Sequence, residues 1–331
     1  MADMQGFGMM IDKLKKSPKS IVFTEGTDER ILEAASRLLT GNFLTPVLVG
    51  NEEEVMAASE KYGYNVQGAR IVDPANYERM DEMVAMLCEI RKSKNMQPEE
   101  ARKLLSQGNY FGTMLVKMGE ADALLGGATY STADTVRPAL QIIKTKPGHT
   151  VVGSCFIMVR PSATGKNEVL AMGDCAINIK PNEDELAEIA VCTADCGKVF
   201  GIDPKVAFLS YSTLGSGKGE DVDKMRNAAA KAKAMRPDLA IEGELQFDAA
   251  VSPRVAKTKC PGNPVAGQAN TFVFPDINAG NIGYKIAQRL GNFEAYGPIL
   301  LGLNAPINDL SRGCNAEEVY SMAIITAALV E

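Results

Sequence analysis

Residues 298–330 read PILLGLNAPINDLSRGCNAEEVYSMAIITAALV. Pro298–Leu303 is a short apolar run of the kind that forms a buried strand, and Val319–Val330 is apolar nearly all round, as a buried helix is. The connection between them, Asn304–Glu318, is polar and turn-rich, with charge only at Asp309, Arg312, Glu317 and Glu318. Strand, loop and helix in this order are the repeating unit of an α/β fold, and such folds bind ligands at the loops beyond the carboxyl ends of their strands. Here Arg312 beside Ser311 can hold a phosphate and an oxyanion, and Glu318 can accept a proton. Each residue also has a purely structural reading. Asn315 and Glu318 have the spacing of a capping box, Arg312 can pair with Asp309, and Ser311 can close a turn.

The same alternation runs back through the chain. Residues 20–24, 46–49, 69–72 and 121–125 read as strands, with helical periodicity over 28–39, from Asn51, from about Tyr77, from Pro98 and over 109–118. The helical region from Tyr77 ends in the basic cluster Arg91, Lys92 and Lys94, which suits a helix C-terminus. After the strand at 121–125 comes GGATYSTADTVRPALQII, where Ser131 can cap a helix carrying Asp134 and Arg137. Glycines, hydroxyls and free amides at a helix N-terminus favour an anion. Beyond it, 151–159 and 168–171 read as an antiparallel pair joined by the polar tip PSATGKN. A helix over 182–200, a strand over 205–210, a helix to about 234 and a strand over 270–274 follow. NAGNIGYKIAQRL is a helix entered through Asn278, Gly280 and Asn281. The stretch YSTLGSGKGEDVDKM is not a P-loop, because position 212 is Ser where Gly is needed and position 219 is Gly where Ser or Thr is needed. A nicotinamide dehydrogenase lacks support too, since FTEGTDER after the first strand has no G-x-G-x-x-G turn.

Composition narrows the chemistry. At 331 residues the chain exceeds one compact core, so two domains are expected, each a mainly parallel sheet covered by helices. A net charge of −6 gives a nucleic-acid partner no support. No apolar run reaches the roughly 18–20 residues of a membrane span, and MADMQGFGMMIDKLKK lacks a cleavable signal pattern. The seven cysteines are odd in number, scattered and without a CxxC, which points to reduced thiols in the cytoplasm. Cys192 and Cys196 share a helix face but have no neighbouring ligands, so packing explains them. The one histidine, His149, has no evident Ser or Cys partner, which argues against zinc chemistry and a Ser-His-Asp hydrolase. No metal is expected, and catalysis must rest on carboxylates, Arg, Ser, Thr, Lys, Tyr or Cys.

Three blocks carry a resemblance: GGATYSTADTVRPALQIIKT, FVFPDINAGNIGYKIAQRLG and GPILLGLNAPINDLSRGCNAEEVY. They closely resemble the phosphate acetyl/butyryltransferase family, and the likeness extends over essentially the whole chain. It implies reversible acetyl transfer between coenzyme A and inorganic phosphate, with acetyl-CoA and acetyl phosphate as the other substrates, no permanently bound cofactor, and a homodimer. It also implies two α/β domains with the active-site cleft between them: 1–145 plus 295–331, and 146–294. Carried over by position, Ser311 is the serine beside the reacting carbonyl, Arg312 the arginine on the phosphoryl or acetyl oxygen, and Glu318 the general base. Many members carry Asp at that last position; this chain has Glu. Arg91 and Arg137 match arginines that hold coenzyme A's phosphates, and Ser131 and Thr132 are further phosphate contacts. Cys314 would suit an acyl-cysteine route, but the resemblance implies direct transfer in a ternary complex. A phosphate butyryltransferase and a non-catalytic coenzyme A-binding homologue are the alternatives.

Overall fold

The computed structural model describes residues 5–162 and 167–330, so the tip expected at 163–166 lies outside the described residues. In chain order the strands are β1 (Lys19–Phe23), β2 (Leu44–Val49), β3 (Arg70–Val72), β4 (Ala123–Gly126), β5 (Gly153–Pro161) and β6 (Asn167–Gly173). Then come β7 (Lys205–Leu209), β8 (Ala240–Leu245), β9 (Thr271–Val273), β10 (Glu294–Leu301) and β11 (Ile307–Asp309). The chain forms two compact units, one of Met1–Gly8 with Pro147–Gly302, the other of Met9–Lys146 with Leu303–Glu331.

The second of these holds a five-stranded sheet in the order β11-β4-β1-β2-β3, parallel throughout. Its central strands are covered on both faces, which is why they read as unbroken apolar runs: Ile21, Val22 and Phe23 are fully buried. The helix Glu29–Gly41 packs Ile31, Leu32, Ala35 and Leu38 inward at helical spacing. Asp28 caps its start, and Asn42 in the left-handed region ends it. The helix Ala316–Ala328 is apolar all round because nearly all of it is buried. Its one internal threonine, Thr326, is satisfied by its own helix and by Asn308, whose Nδ2 donates to Thr326 Oγ1 at 2.8 Å.

The other unit carries a mixed sheet, β10-β5-β6-β9-β7-β8. β5 and β6 pair antiparallel from Cys155↔Gly173 to Pro161↔Asn167, as two β-prone runs joined by a polar tip predict, and β6, β9, β7 and β8 run parallel. Glu183–Val199 is a long buried helix with a two-way capping box between Asn182 and Glu185. The helix Ile277–Leu290 is entered at Asp276, not Asn278: the Asp276 carboxylate accepts from the Asn278 and Ala279 amides at 2.8 and 3.1 Å, where a carboxylate outcompetes an amide as cap.

The C-terminal stretch 298–330 is where the structure departs most from the sequence pattern. Most of the apolar run at 298–303 belongs to β10, which pairs antiparallel with β5 in the mixed sheet. The strand that enters the site loop is β11, inside what reads as loop, and it pairs parallel with β4. Its polarity hid it. Asn308 and Asp309 are buried and answered by hydroxyls from elsewhere in the chain.

Candidate active site

The ends of β1, β4 and β11 lie side by side, with Phe23 opposite Leu125 and Gly126 opposite Asp309. Three loops therefore leave one edge of a parallel sheet together, the standard place for a ligand in this architecture. The two glycines after β4 are needed there. A Cβ on Gly126 would strike the Tyr130 and Thr24 hydroxyls, and Gly127, at φ +99°, has the Asp309 carboxylate where its side chain would go.

Two carboxylates, buried Asp309 and half-buried Glu25, lace these loops together. Asp309 accepts from Thr132 Oγ1 and Thr135 Oγ1, both at 2.6 Å. Glu25 accepts from the Gly127 and Thr129 amides at 3.1 and 3.0 Å and from Thr24 Oγ1 at 2.7 Å. Burial raises the pKa of both, against the pull of those hydrogen bonds. Thr24 Oγ1 also lies 2.7 Å from the Tyr130 phenol oxygen. Thr132 thus ties the helix Thr132–Pro138 to the strand that leads into the Ser311 loop.

In that loop Ser311 and Arg312 are exposed. Ser311 Oγ accepts from the Gly313 amide at 3.2 Å, so the turn-closing reading holds, and its proton faces away from that bond. Arg312 does not pair with Asp309, whose oxygens go to the threonines; among the described residues its guanidinium has no partner. The capping box is present in both directions: Glu318 N–H donates to Asn315 Oδ1 at 2.9 Å, and Glu318 Oε2 accepts from the Asn315 amide at 3.0 Å. Cys314 is buried, and burial pushes its thiol up to about 11 although Arg30 pulls the other way, so it is a poor nucleophile.

Arg30 carries no signal of its own in the sequence. Its guanidinium forks onto Asp28 at 2.9 and 2.8 Å and donates to the carbonyls of Ala128, Arg312 and Cys314 at 2.9, 3.0 and 3.1 Å. The same stretch, FTEGTDER, holds Thr24, Glu25 and Asp28. Acids and hydroxyls crowded directly after a strand are the only local hint that this stretch serves the site.

The coenzyme-binding candidates sit on neighbouring helices. Arg91 ends the helix Met80–Ile90, and its Nε is buried with no partner among the described residues. Arg137 pairs with Asp134 at 3.2 Å and is exposed. Both guanidinium groups lie near one phenol: burial raises the pKa of Tyr110 while Arg137 and Arg91 pull it down. Ser131 is the N-cap residue but does not cap through its side chain; its Oγ donates to Asp134 Oδ2 at 2.7 Å. The hydroxyl protons of Ser131 and Thr132 are therefore both committed to carboxylates. In the other unit His149 does have a thiol neighbour, Cys192 Sγ at 3.6 Å from Nδ1.

A sequence profile of the family described as Phosphate acetyl/butaryl transferase matches residues 8–327. The chain belongs to this family. It is 52% identical over 328 residues to the phosphate acetyltransferase of Bacillus subtilis, with 99% of each chain covered. It is 49% identical over 333 residues to that of Staphylococcus epidermidis, again covering 99% of each. Among solved structures, a phosphotransacetylase from Streptococcus pyogenes superimposes with a TM-score of 0.95 at 54% identity, covering 100% of this chain and 99% of that one. In this family member two of the three resembling blocks, 126–145 and 297–320, contribute the loops that meet at the β4 and β11 ends. The third, 272–291, forms most of β9 and the helix Ile277–Leu290.

Proposed function

We propose that the protein transfers an acetyl group reversibly between coenzyme A and inorganic phosphate, so that acetyl-CoA and phosphate exchange with coenzyme A and acetyl phosphate. The reading rests on one observation above the family membership. On a loop whose main chain is held, the Arg312 guanidinium beside Ser311 stands exposed and unpaired among the described residues. A forked cation left open in this way suits a phosphoryl group.

In the direction of thioester synthesis, the coenzyme A thiol gives its proton to Glu318, and the thiolate attacks the acetyl carbonyl carbon. The Ser311 hydroxyl donates to the carbonyl oxygen as charge develops there. The bond between the acetyl carbon and the phosphate oxygen then breaks, and phosphate leaves on Arg312. Glu318 keeps Oε1 outside the capping box, so capping and proton transfer are compatible. Arg91 and Arg137 take the coenzyme's phosphates, with main-chain amides of Ser131 and Thr132 as weaker contacts. Direct attack is preferred to an acyl-cysteine because the Cys314 thiol is buried and hard to ionise. Coenzyme A is then a substrate, and no resident cofactor is required. Seven free thiols fit a reducing cytoplasm.

The two compact units support a two-domain reading with a discontinuous first domain. We also take the working form to be a homodimer. The helix Ile277–Leu290 exposes Ile282, Ile286 and Leu290 by 58, 54 and 79% at one-turn spacing, an apolar stripe costly to leave in water. Ile286→Glu should lower the mass measured by light scattering from dimer to monomer; a monomeric wild type would overturn the assembly.

The test of the reaction is thioester absorbance on mixing the protein with coenzyme A and acetyl phosphate, repeated with butyryl phosphate. Turnover with acetyl phosphate at the higher kcat/KM is expected. Preference for the butyryl donor would make it a butyryltransferase, and no thioester with either would leave a coenzyme-binding homologue.

A further inference from the structure

We propose that Arg30 is the positioning residue of this site: it locks the main chain of the Ser311–Cys314 turn to the loop after β4 without touching substrate. The inference rests on the acetyl-transfer reading of that turn. A guanidinium has five N–H donors and no acceptor. Here all five have protein oxygens. Nε and Nη2 donate to the two oxygens of Asp28, at 2.9 and 2.8 Å. Nη2 also donates to the Ala128 carbonyl at 2.9 Å, and Nη1 to the carbonyls of Arg312 and Cys314 at 3.0 and 3.1 Å. No donor remains for a phosphate, and the charge is already answered by Asp28. Arg312, two residues from Cys314, is the reverse case, a guanidinium with no protein partner among the described residues.

The anchor behind Arg30 is rigid. Asp28 caps the helix Glu29–Gly41, accepting from the Arg30 amide at 3.0 Å, and that helix buries Ile31, Leu32, Ala34, Ala35 and Leu38. Side-chain exposure is 26% for Arg30 and 15% for Asp28, so solvent competes weakly with the fork. Two of its three carbonyl partners flank Gly313, where the absence of a Cβ leaves the backbone least restricted. Rotation of the peptide units that aim Ser311 and Arg312 would break both bonds at once. The third partner, Ala128, is in the loop whose amides hold Glu25. One side chain therefore sets the spacing of the two loops that supply Ser311 and Arg312 on one side and Ser131 and Thr132 on the other. Lysine cannot replace it, because three donors on one nitrogen cannot span a carboxylate and three carbonyls.

The experiment compares wild type, Arg30→Lys and Arg30→Ala in steady-state kinetics and in hydrogen exchange without substrate. Both variants should lose roughly 10- to 100-fold in kcat, the scale of a small misplacement of reacting groups. KM for coenzyme A and for acetyl phosphate should stay within about threefold, because no substrate contact is removed. Methylguanidinium should restore part of the kcat of Arg30→Ala and none of that of Arg312→Ala. Amides of 311–315 should exchange faster in both variants, while those of Glu29–Gly41 stay protected. A kcat within twofold of wild type, unchanged exchange at 311–315, or a raised KM with normal kcat would each overturn the proposal. If Arg30→Ala does not fold, Arg30→Lys, which keeps a cation beside Asp28, decides. Wild type that forms no thioester would remove the reaction reading, and the exchange result would still show whether Arg30 holds the turn.

Discussion

Two strand-to-helix connections in this chain look alike in composition. Tyr211–Gly219 and Ser311–Asn315 both combine serine with glycine, and each is served by an arginine. In the first, the side chains answer one another. Buried Glu244 accepts from Ser212 Oγ at 2.9 Å, the Gly215 amide at 2.7 Å and Arg226 Nε at 3.1 Å. Ser212 Oγ in turn accepts from the Gly217 amide at 2.8 Å, and the Tyr211 phenol donates to the Lys218 carbonyl at 2.9 Å. In the second connection the support comes from outside, through Arg30, and is directed at carbonyls. Ser311 and Arg312 are left facing solvent. A connection that holds itself together uses up its side chains; one whose main chain is held by a neighbour keeps them for a ligand.

The contrast can be broken most decisively at Arg312. Arg312→Ala should lower kcat/KM about 10²- to 10³-fold, the scale of a lost transition-state donor. The thermal midpoint should not move, since no protein partner is lost; a large fall in the midpoint would mean the side chain is structural after all. Glu318→Gln comes next, with kcat down roughly 10²-fold at the low end for a lost general base. The amide oxygen can still accept from Asn315, so stability should hold. Lost stability with normal kcat would reduce Glu318 to a cap.

For the other connection the effect should fall on stability. Glu244→Ala orphans a buried hydroxyl and amide and should cost about 1–3 kcal/mol in urea unfolding, while kcat of the folded enzyme stays within about twofold. A collapse of kcat at unchanged stability would move the glycine-rich loop into the active site. Burial alone would raise the Glu244 pKa; the Gly215 amide and Arg226 outweigh it and lower it below the ordinary 4.5. Its contribution is therefore complete above that ordinary value and is lost as pH falls through the lowered one. Asp309 has the opposite sign. Burial raises it above 3.8, so the folded state holds its proton longer, and stability declines as pH rises from about that value through the raised one. Asp309→Asn should flatten this decline in urea midpoints taken from pH 4 to 7, the smallest of these effects. An unchanged slope would mean that Asp309 is not the group responsible.

The periodic parts of the chain are legible in its residue order alone. Helix Glu29–Gly41, the antiparallel β5–β6 pair and the capping box at Asn315 all follow from patterns among near neighbours. The family resemblance is legible in the same way, because three contiguous blocks carry its most telling residues within a match that spans 8–327. β11 is not legible, because a strand of Ile, Asn and Asp reads as loop until Thr326, Thr132 and Thr135 are brought to it. Nor is Arg30, whose acceptor at Arg312 lies 282 positions away.

By itself, then, the sequence determined the α/β class, the family and the residues Ser311, Arg312 and Glu318 as candidates, because helix and strand periods and short motifs are written in neighbouring residues. Only the tertiary structure decided which buried polar groups find partners and which arginine is spent on main chain and which left open. Those outcomes depend on hydrogen bonds between residues that the chain order keeps far apart, and burial makes each unanswered polar group too costly to leave to chance.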